Sequence, residues 1–284
     1  MIVITGATGQ LGQLVIAELL KSVPAAQIVA AVRDPAKAAD LAAKGVHVRR
    51  ADYTDPASLD AALAGATKVL LISSNELGQR AAQHRNVVDA AKRAGVALLA
   101  YTSVLHADTS VLELAAEHRD TEAAIVASGL PYALLRNGWY VENHTASLGA
   151  AVEHGAVLGS AKAGRISAAP RSDYAAAAAA VLTGPAPAAA VYELAGDTAF
   201  SLSELAAETA AQAGKPVVYQ DLPEHEYKSA LLGMGLPEGL AALIAGSDAA
   251  AAGGALEDHG GTLGKLIGRP TGSLADAVRA ALAH

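Results

Sequence analysis

Along the first half of the chain, short apolar runs alternate with longer stretches in which apolar residues recur every three or four positions. The runs Ile2 to Thr5, Ile28 to Val32, Val46 to Arg50, Val69 to Ile72, Ala97 to Thr102 and Tyr132 to Leu135 read as strands. After the first run, Leu11, Leu14, Val15 and Leu19 share one helical face, and Ser22 and Pro24 mark its end. Asp34-Pro35 and Asp55-Pro56 supply N-caps followed by proline in the first helical turn, with Gly45 and Gly65 as C-terminal stops. A further helix runs from about Gln79 to Ala94 and stops at Gly95. Strands alternating with helices predict a parallel sheet with crossover helices, the doubly wound α/β arrangement.

Beyond residue 136 the pattern loosens. Short strands (Val157 to Gly159, Val191 to Leu194, Val217 to Leu222) alternate with helices near 172–183, 201–213 and 273–282. Gly184-Pro185, Gly235-Leu236-Pro237 and Gly253-Gly254 interrupt them. The expected division is a doubly wound domain over 1–135, with a return segment near 160–190, and a smaller α/β lobe over most of 136–284. That lobe is expected over the C-terminal edge of the sheet.

Composition sharpens this picture by exclusion. Of 284 residues, 52% are hydrophobic, enough for a large core. No apolar stretch reaches the roughly 20 residues that span a bilayer, and no secretory leader is evident, so a cytoplasmic protein is expected. A net charge of -7 and an aromatic content of 4% argue against nucleic acid as a partner. There is no cysteine, which rules out thiolate nucleophiles and disulfides, so redox chemistry would need a bound cofactor. The run Ala175 to Ala180 reads as helix.

The opening MIVITGATGQLG places Gly6, Gly9 and Gly12 between a strand and an amphipathic helix. In that setting one glycine makes the turn, one admits the pyrophosphate and one lets helix and strand pack closely. The helix N-terminus then offers free N–H groups to an anion. Gly6, Thr8, Gly9, Gln10, Leu11 and Gly12 are the expected phosphate turn. At the end of the second strand, where an NAD site carries an acidic residue, stands Arg33. A guanidinium there suits a 2′-phosphate, so NADPH is favoured over NADH. Asp34 precedes proline and reads as a cap. Asp52 and Tyr53 follow the third strand, on the adenine side, and Ser73, Ser74 and Asn75 follow the fourth. Thr102, or Ser103 beside it, ends the fifth strand and would line the nicotinamide pocket.

None of the eight tyrosines has lysine four positions on, so the Tyr-x-x-x-Lys pair that protonates an alkoxide is missing. Tyr132 and Arg136 have the spacing but lie in a strand, where a structural role is expected. An acceptor that leaves a stabilised anion needs little acid catalysis, and quinones meet that condition. The segment from Arg136 to His144, with the single Trp, is placed to hold such a ring through Asn137, Gly138, Trp139, Tyr140, Glu142 and Asn143. Trp139 reads equally well as a core plug. His118 and Glu122 share a helix face at zinc-binding spacing, but no third ligand follows, so an exposed polar face is expected and no metal.

The segments ITGATGQLG, ISSNELGQRAAQHRNVVDAAKRAGV, YTSVLHADTS, LLRNGWYVEN, RSDYAAAAA and LIGRPTGSLADAV resemble the NmrA-like branch of the atypical short-chain dehydrogenases over essentially the whole chain. Within that branch the chain resembles the bacterial NADPH-dependent quinone oxidoreductases of type 2. The resemblance implies a Rossmann domain binding NADPH without flavin, a smaller C-terminal lobe, and a cleft for quinone. It puts the 2′-phosphate contact on Arg33, the nicotinamide and quinone side on 73–75 and 137–143, and a weaker contact on Arg171. Related reductases carry a catalytic lysine on the helix after the fifth strand; none lies between Val111 and Ser128. Two other readings stand beside it: a dinucleotide-binding redox sensor without turnover, and a sugar epimerase, which the missing Tyr-x-x-x-Lys disfavours. Homo-oligomer formation is left open.

Overall fold

A computed structural model describes residues 1–283. In chain order the first elements are β1 (Ile2–Thr5), α1 (Gln10–Leu19), β2 (Ile28–Val32), α2 (Ala39–Ala43), β3 (His47–Arg50), α3 (Pro56–Leu63), β4 (Lys68–Leu71), α4 (Arg80–Ala94), β5 (Leu98–Val104), α5 (Ala115–Ser128) and β6 (Tyr132–Asn137). The chain continues through α6 (Glu142–Thr145), α7 (Leu148–His154) and β7 (Ala156–Gly159), then forms α8 (Arg171–Thr183) and β8 (Ala189–Leu194). It ends with α9 (Leu202–Ala213), β9 (Val218–Asp221), α10 (Glu224–Gly233), α11 (Glu238–Ala251), α12 (Thr262–Ile267) and α13 (Leu274–Leu282).

These elements form two compact units. The first comprises 1–108, 116–137 and 171–194, and holds a seven-stranded parallel sheet in the order β3-β2-β1-β4-β5-β6-β8. This is the doubly wound Rossmann-type arrangement, whose strand order reverses between β1 and β4, where such sheets bind ligands beyond their C-terminal ends. Every residue of β2 and β5 is buried, as befits strands covered on both faces. The edge strand β3 instead carries Arg49 and Arg50, charges that discourage further pairing. Asp34 and Asp55 cap their helices as read from sequence, accepting from the Ala36 and Ser58 N–H groups. The alanine run earns its place in packing: Ala175, Ala177 and Ala178 are buried and let α8 lie close on α1. Lys68 ties this return segment to β4 by donating to the Leu182 and Gly184 carbonyls.

The second unit comprises 109–115, 138–170 and 195–283 among the described residues. It has a two-stranded parallel sheet, β7-β9, and a small core in which Tyr227 and Leu231 of α10 meet Ala241 and Ala245 of α11. Among the described residues no helix is long and apolar enough to cross a membrane.

The structure lengthens two of the strands read from sequence. β6 does not stop at Leu135: Arg136 and Asn137 continue it, because it is central and pairs with Ser103 and Val104 of β5 and with Glu193 and Leu194 of β8. For the same reason β5 runs on through Thr102 to Val104. Helices α10, α11 and α12 carry no sequence expectation, since weakly amphipathic, glycine-bearing stretches hide their period. The Gly235-Leu236-Pro237 punctuation is the turn between two of them.

Candidate functional site

Turn residues 6–9 lead β1 into α1. Gly6 has φ +59°, a left-handed conformation that glycine adopts without strain. A Cβ on Gly12 would lie 2.5 Å from the Gly6 carbonyl oxygen and 2.8 Å from Ala7 Cα, so no larger residue fits there without moving the turn. Gly9, the N-cap of α1, offers no capping side chain, and the first turn of α1 contains no acidic residue. The N–H groups of that turn are thus left for an external anion, with the helix dipole in its favour. Gly6, Thr8 and Gly9 line a cavity of about 550 Å³. Leu11 and Gly12 are buried beneath the turn, and Gln10 begins α1 on the outside without lining the cavity.

Arg33, which follows β2, and Lys37 on the short 3-10 turn after it line the cavity as well. Arg33 is exposed and donates from Nη1 to Glu76 Oε1 at 2.7 Å. Asp52 and Tyr53, after β3, line the same cavity. Asp52 accepts from the Thr54 N–H and hydroxyl, and these bonds hold its carboxyl below the usual range. The Tyr53 hydroxyl bonds to Thr5 Oγ1 and donates to the Ile72 carbonyl, joining the ends of β1, β3 and β4; burial pushes its pKa up.

The loop after β4 forms the remaining wall through Ile72, Ser73, Ser74, Asn75 and Glu76. Its backbone is fixed by side chains drawn from distant elements. The Ser73 N–H donates to Thr102 Oγ1 at 2.9 Å, and the Ser74 N–H donates to His84 Nε2 at 2.9 Å. Arg80 Nε donates to the Ser74 carbonyl at 2.8 Å, and the Gly78 N–H donates to Glu117 Oε1. The proton on His84 follows from its partners. Nε2 accepts, so Nδ1 carries the hydrogen and donates to Thr121 Oγ1, whose own proton goes to the Glu117 carbonyl. Burial, then the Arg80 charge, lowers the His84 pKa to about 3, so the ring is neutral at physiological pH.

The other candidate residues lie as follows. Thr102 is buried behind Ser73 and acts on the cavity through it. Arg171 opens α8 and is not among the cavity's lining residues. Asn137 ends β6 in the first unit, whereas Gly138, Trp139, Tyr140, Glu142 and Asn143 belong to the second. There Tyr140 bridges to Ala169, the Trp139 carbonyl accepts from the Ala169 N–H, and Glu142 and Asn143 begin α6. His144 stands edge-on to Phe200, with Nε2 shut away from both solvent and any partner, and burial lowers its pKa to about 4.

One expectation fails outright: His118 and Glu122 form no exposed polar face, since both are buried. His118 Nδ1 meets the Tyr101 hydroxyl at 2.6 Å, and burial lowers its pKa to about 3. Glu122 binds Arg136 through both carboxylate oxygens and accepts from Ser103. Arg136 also pairs with Glu193 and Asp108, which accounts for a Tyr132/Arg136 spacing with a structural use. The helical period conceals all this because α5 packs on the sheet through polar groups and shows no apolar stripe. Among the described residues no cluster of three His, Asp or Glu is placed to hold a metal ion.

Sequence reading missed Lys37, Glu76 and Gln83 on the cavity wall. Lys37 left a signal, a second cation four residues after Arg33; Glu76 and Gln83 left none, because only the fold brings α4 back to the end of β2.

A parallel sheet with an uncapped helix N-terminus at its switch point and cations beyond its second strand defines a Rossmann-type NAD(P)-binding protein. Residues 1–261 match the NmrA-like family, and the chain belongs to that family. It is 58% identical over 278 residues to Quinone oxidoreductase 2 of Escherichia coli, covering 98% of this chain and 97% of that one. Its structure superposes with TM-score 0.97 and 57% identity on the crystal structure of the E. coli NADPH-dependent quinone oxidoreductase complexed with NADPH, covering 99% and 100% of the two chains. Against Citrobacter sp. triphenylmethane reductase complexed with NADP(H), the TM-score is 0.95 at 40% identity, covering 99% of this chain and 100% of that one.

Proposed function

We propose that this protein is an NAD(P)H:quinone oxidoreductase that transfers hydride from NADPH to a quinone without flavin or metal, and that it works in the cytoplasm. The observation that carries this reading is one cavity lined both by the open helix N-terminus at Gly9 and by the cations Arg33 and Lys37. The E. coli relative, alike over its full length, supports the quinone as acceptor. When bound, NADPH supplies a hydride from its nicotinamide ring.

The chain's own residues bind and orient. Gly6, Thr8, Gly9 and the first turn of α1 hold the pyrophosphate, with Gln10, Leu11 and Gly12 setting the turn's shape. Arg33, assisted by Lys37, holds the 2′-phosphate through charge-assisted hydrogen bonds. NADH lacks that group and binds less tightly. Asp52 and Tyr53 take the adenosine side, and Ser73, Ser74 and Asn75 the inner wall. Thr102 acts by fixing Ser73. Arg171 is assigned a contact toward the same cofactor. Asn137, Gly138, Trp139, Tyr140, Glu142 and Asn143 hold the quinone, the rings walling it and the amides meeting its oxygens. No side chain need supply a strong acid, because a hydroquinonate is stable enough to take its proton from water. Rate then comes mainly from holding the two rings in register.

The test is anaerobic NADPH oxidation by purified protein on addition of a small benzoquinone or naphthoquinone. The expected result is quinone-dependent loss of the reduced-nicotinamide absorbance by protein whose spectrum contains no flavin. Protein that oxidises NADPH only after flavin is added would refute the reading.

A further inference from the structure

Arg33 does not wait free at the cavity wall. Its Nη1 lies 2.7 Å from Glu76 Oε1, and the other carboxylate oxygen, Oε2, accepts from Gln83 Nε2 at 2.6 Å. Gln83 is buried on α4, so the second bond anchors the carboxylate from the interior. The Glu76 N–H donates to Ser74 Oγ, and Ser74 is fixed in turn by His84 and Arg80. Glu76, Arg33 and Gln83 all line the dinucleotide cavity. The carboxylate is therefore built into the wall beside the one guanidinium suited to a 2′-phosphate, with which it shares the sign of charge.

We propose that Glu76 is a specificity-determining residue that restrains the preference for NADPH over NADH. Its carboxylate occupies Arg33 in the dinucleotide-free protein and opposes the 2′-phosphate that Arg33 attracts. A dinucleotide without that phosphate meets neither cost. This inference rests on the reading of the cavity as an NADPH site. It adds that the site's selectivity is a balance between two opposed charges and is not set by Arg33 alone.

The experiment is equilibrium titration of NADPH and NADH into the wild-type protein, Glu76→Gln, Arg33→Ala and the double variant. Glutamine keeps the shape and removes the charge: its oxygen still accepts from Arg33, and its NH2 donates to Gln83 once the Gln83 amide turns over. Glu76→Gln should lower the NADPH dissociation constant about three- to fivefold, the scale of an exposed ion pair. The NADH-to-NADPH ratio of dissociation constants should rise by a similar factor. The gain should be larger at low ionic strength and smaller in the Arg33→Ala background, where there is no guanidinium to compete for. NADPH binding that is unchanged or weaker in Glu76→Gln would overturn the inference, since the carboxylate would then be out of reach of the phosphate or would be aiming Arg33 at it. An equal gain with and without Arg33 would overturn the competition. Wild-type protein that binds neither dinucleotide would instead refute the dinucleotide reading, and this inference with it.

Discussion

Two walls of the same cavity are made in opposite ways. The turn from Gly6 to Gly12 is built from consecutive backbone, held by a positive φ at Gly6 and by the absence of a Cβ at Gly12. The loop from Ser73 to Glu76 has no such local code. It is held by Thr102 from β5 and by His84 and Arg80 from α4, and Glu117 from α5 fixes Gly78 just beyond it. The first wall stands or falls with the room left at single positions. The second depends on the protonation and hydrogen bonding of a buried network, so its failures should be graded and pH-dependent.

The largest effect is expected where the backbone wall is broken. Gly12→Ala sets a methyl group 2.5 Å from the Gly6 oxygen, and the turn must open. Dinucleotide binding should be lost in calorimetry, with stability reduced by about 3 kcal/mol in urea unfolding. Next comes Arg33→Ala, which should weaken NADPH binding by about 1.5–3 kcal/mol, the scale of a hydrogen bond to a charged group, and NADH binding far less. Equal losses for the two dinucleotides would remove Arg33 from the 2′-phosphate.

The network wall is tested by His84→Leu, which leaves the Ser74 N–H without its acceptor and should cost roughly 1–3 kcal/mol of stability. The same histidine sets a pH dependence. Its folded pKa of about 3 lies below the unfolded 6.5, so the native state favours the neutral ring. Its contribution to stability is complete above pH 6.5 and is lost progressively as pH falls toward 3. His118 and His144, lowered to about 3 and about 4, act in the same direction. The urea midpoint of the wild type should therefore fall on acidification below pH 6.5, and less steeply in His84→Leu. The smallest effect belongs to Thr102→Val, which removes the acceptor for the Ser73 N–H. It should cost about 1 kcal/mol and raise KM for NADPH with little change in kcat.

The contrast also explains what the sequence made legible. Caps at Asp34 and Asp55, the αL stop at Gly95 and the glycine turn depend on residues next to one another, and each was readable. Arg33 was readable because a strand end fixes where its side chain starts. Glu76 was not, because its meaning comes from Arg33, 43 positions away, and from Gln83 on α4. His118 and Glu122 were misread for a related reason. A polar residue facing a polar interior looks, in the helical period, like one facing water, and only the partners Tyr101 and Arg136 tell them apart. In the second unit Gly239 and Gly246 break the period of α11 and α10 is only weakly amphipathic, so the turn between them was visible and the helices themselves were hidden.

The most direct measurement of the central claim is anaerobic turnover of a small benzoquinone with NADPH deuterated at the transferring carbon of the nicotinamide. Hydride transfer from NADPH held in this cavity predicts one NADPH consumed per quinone reduced, with oxidation slower for the deuterated cofactor. NADPH that binds but is not oxidised when quinone is added would contradict the account and leave a dinucleotide sensor in its place.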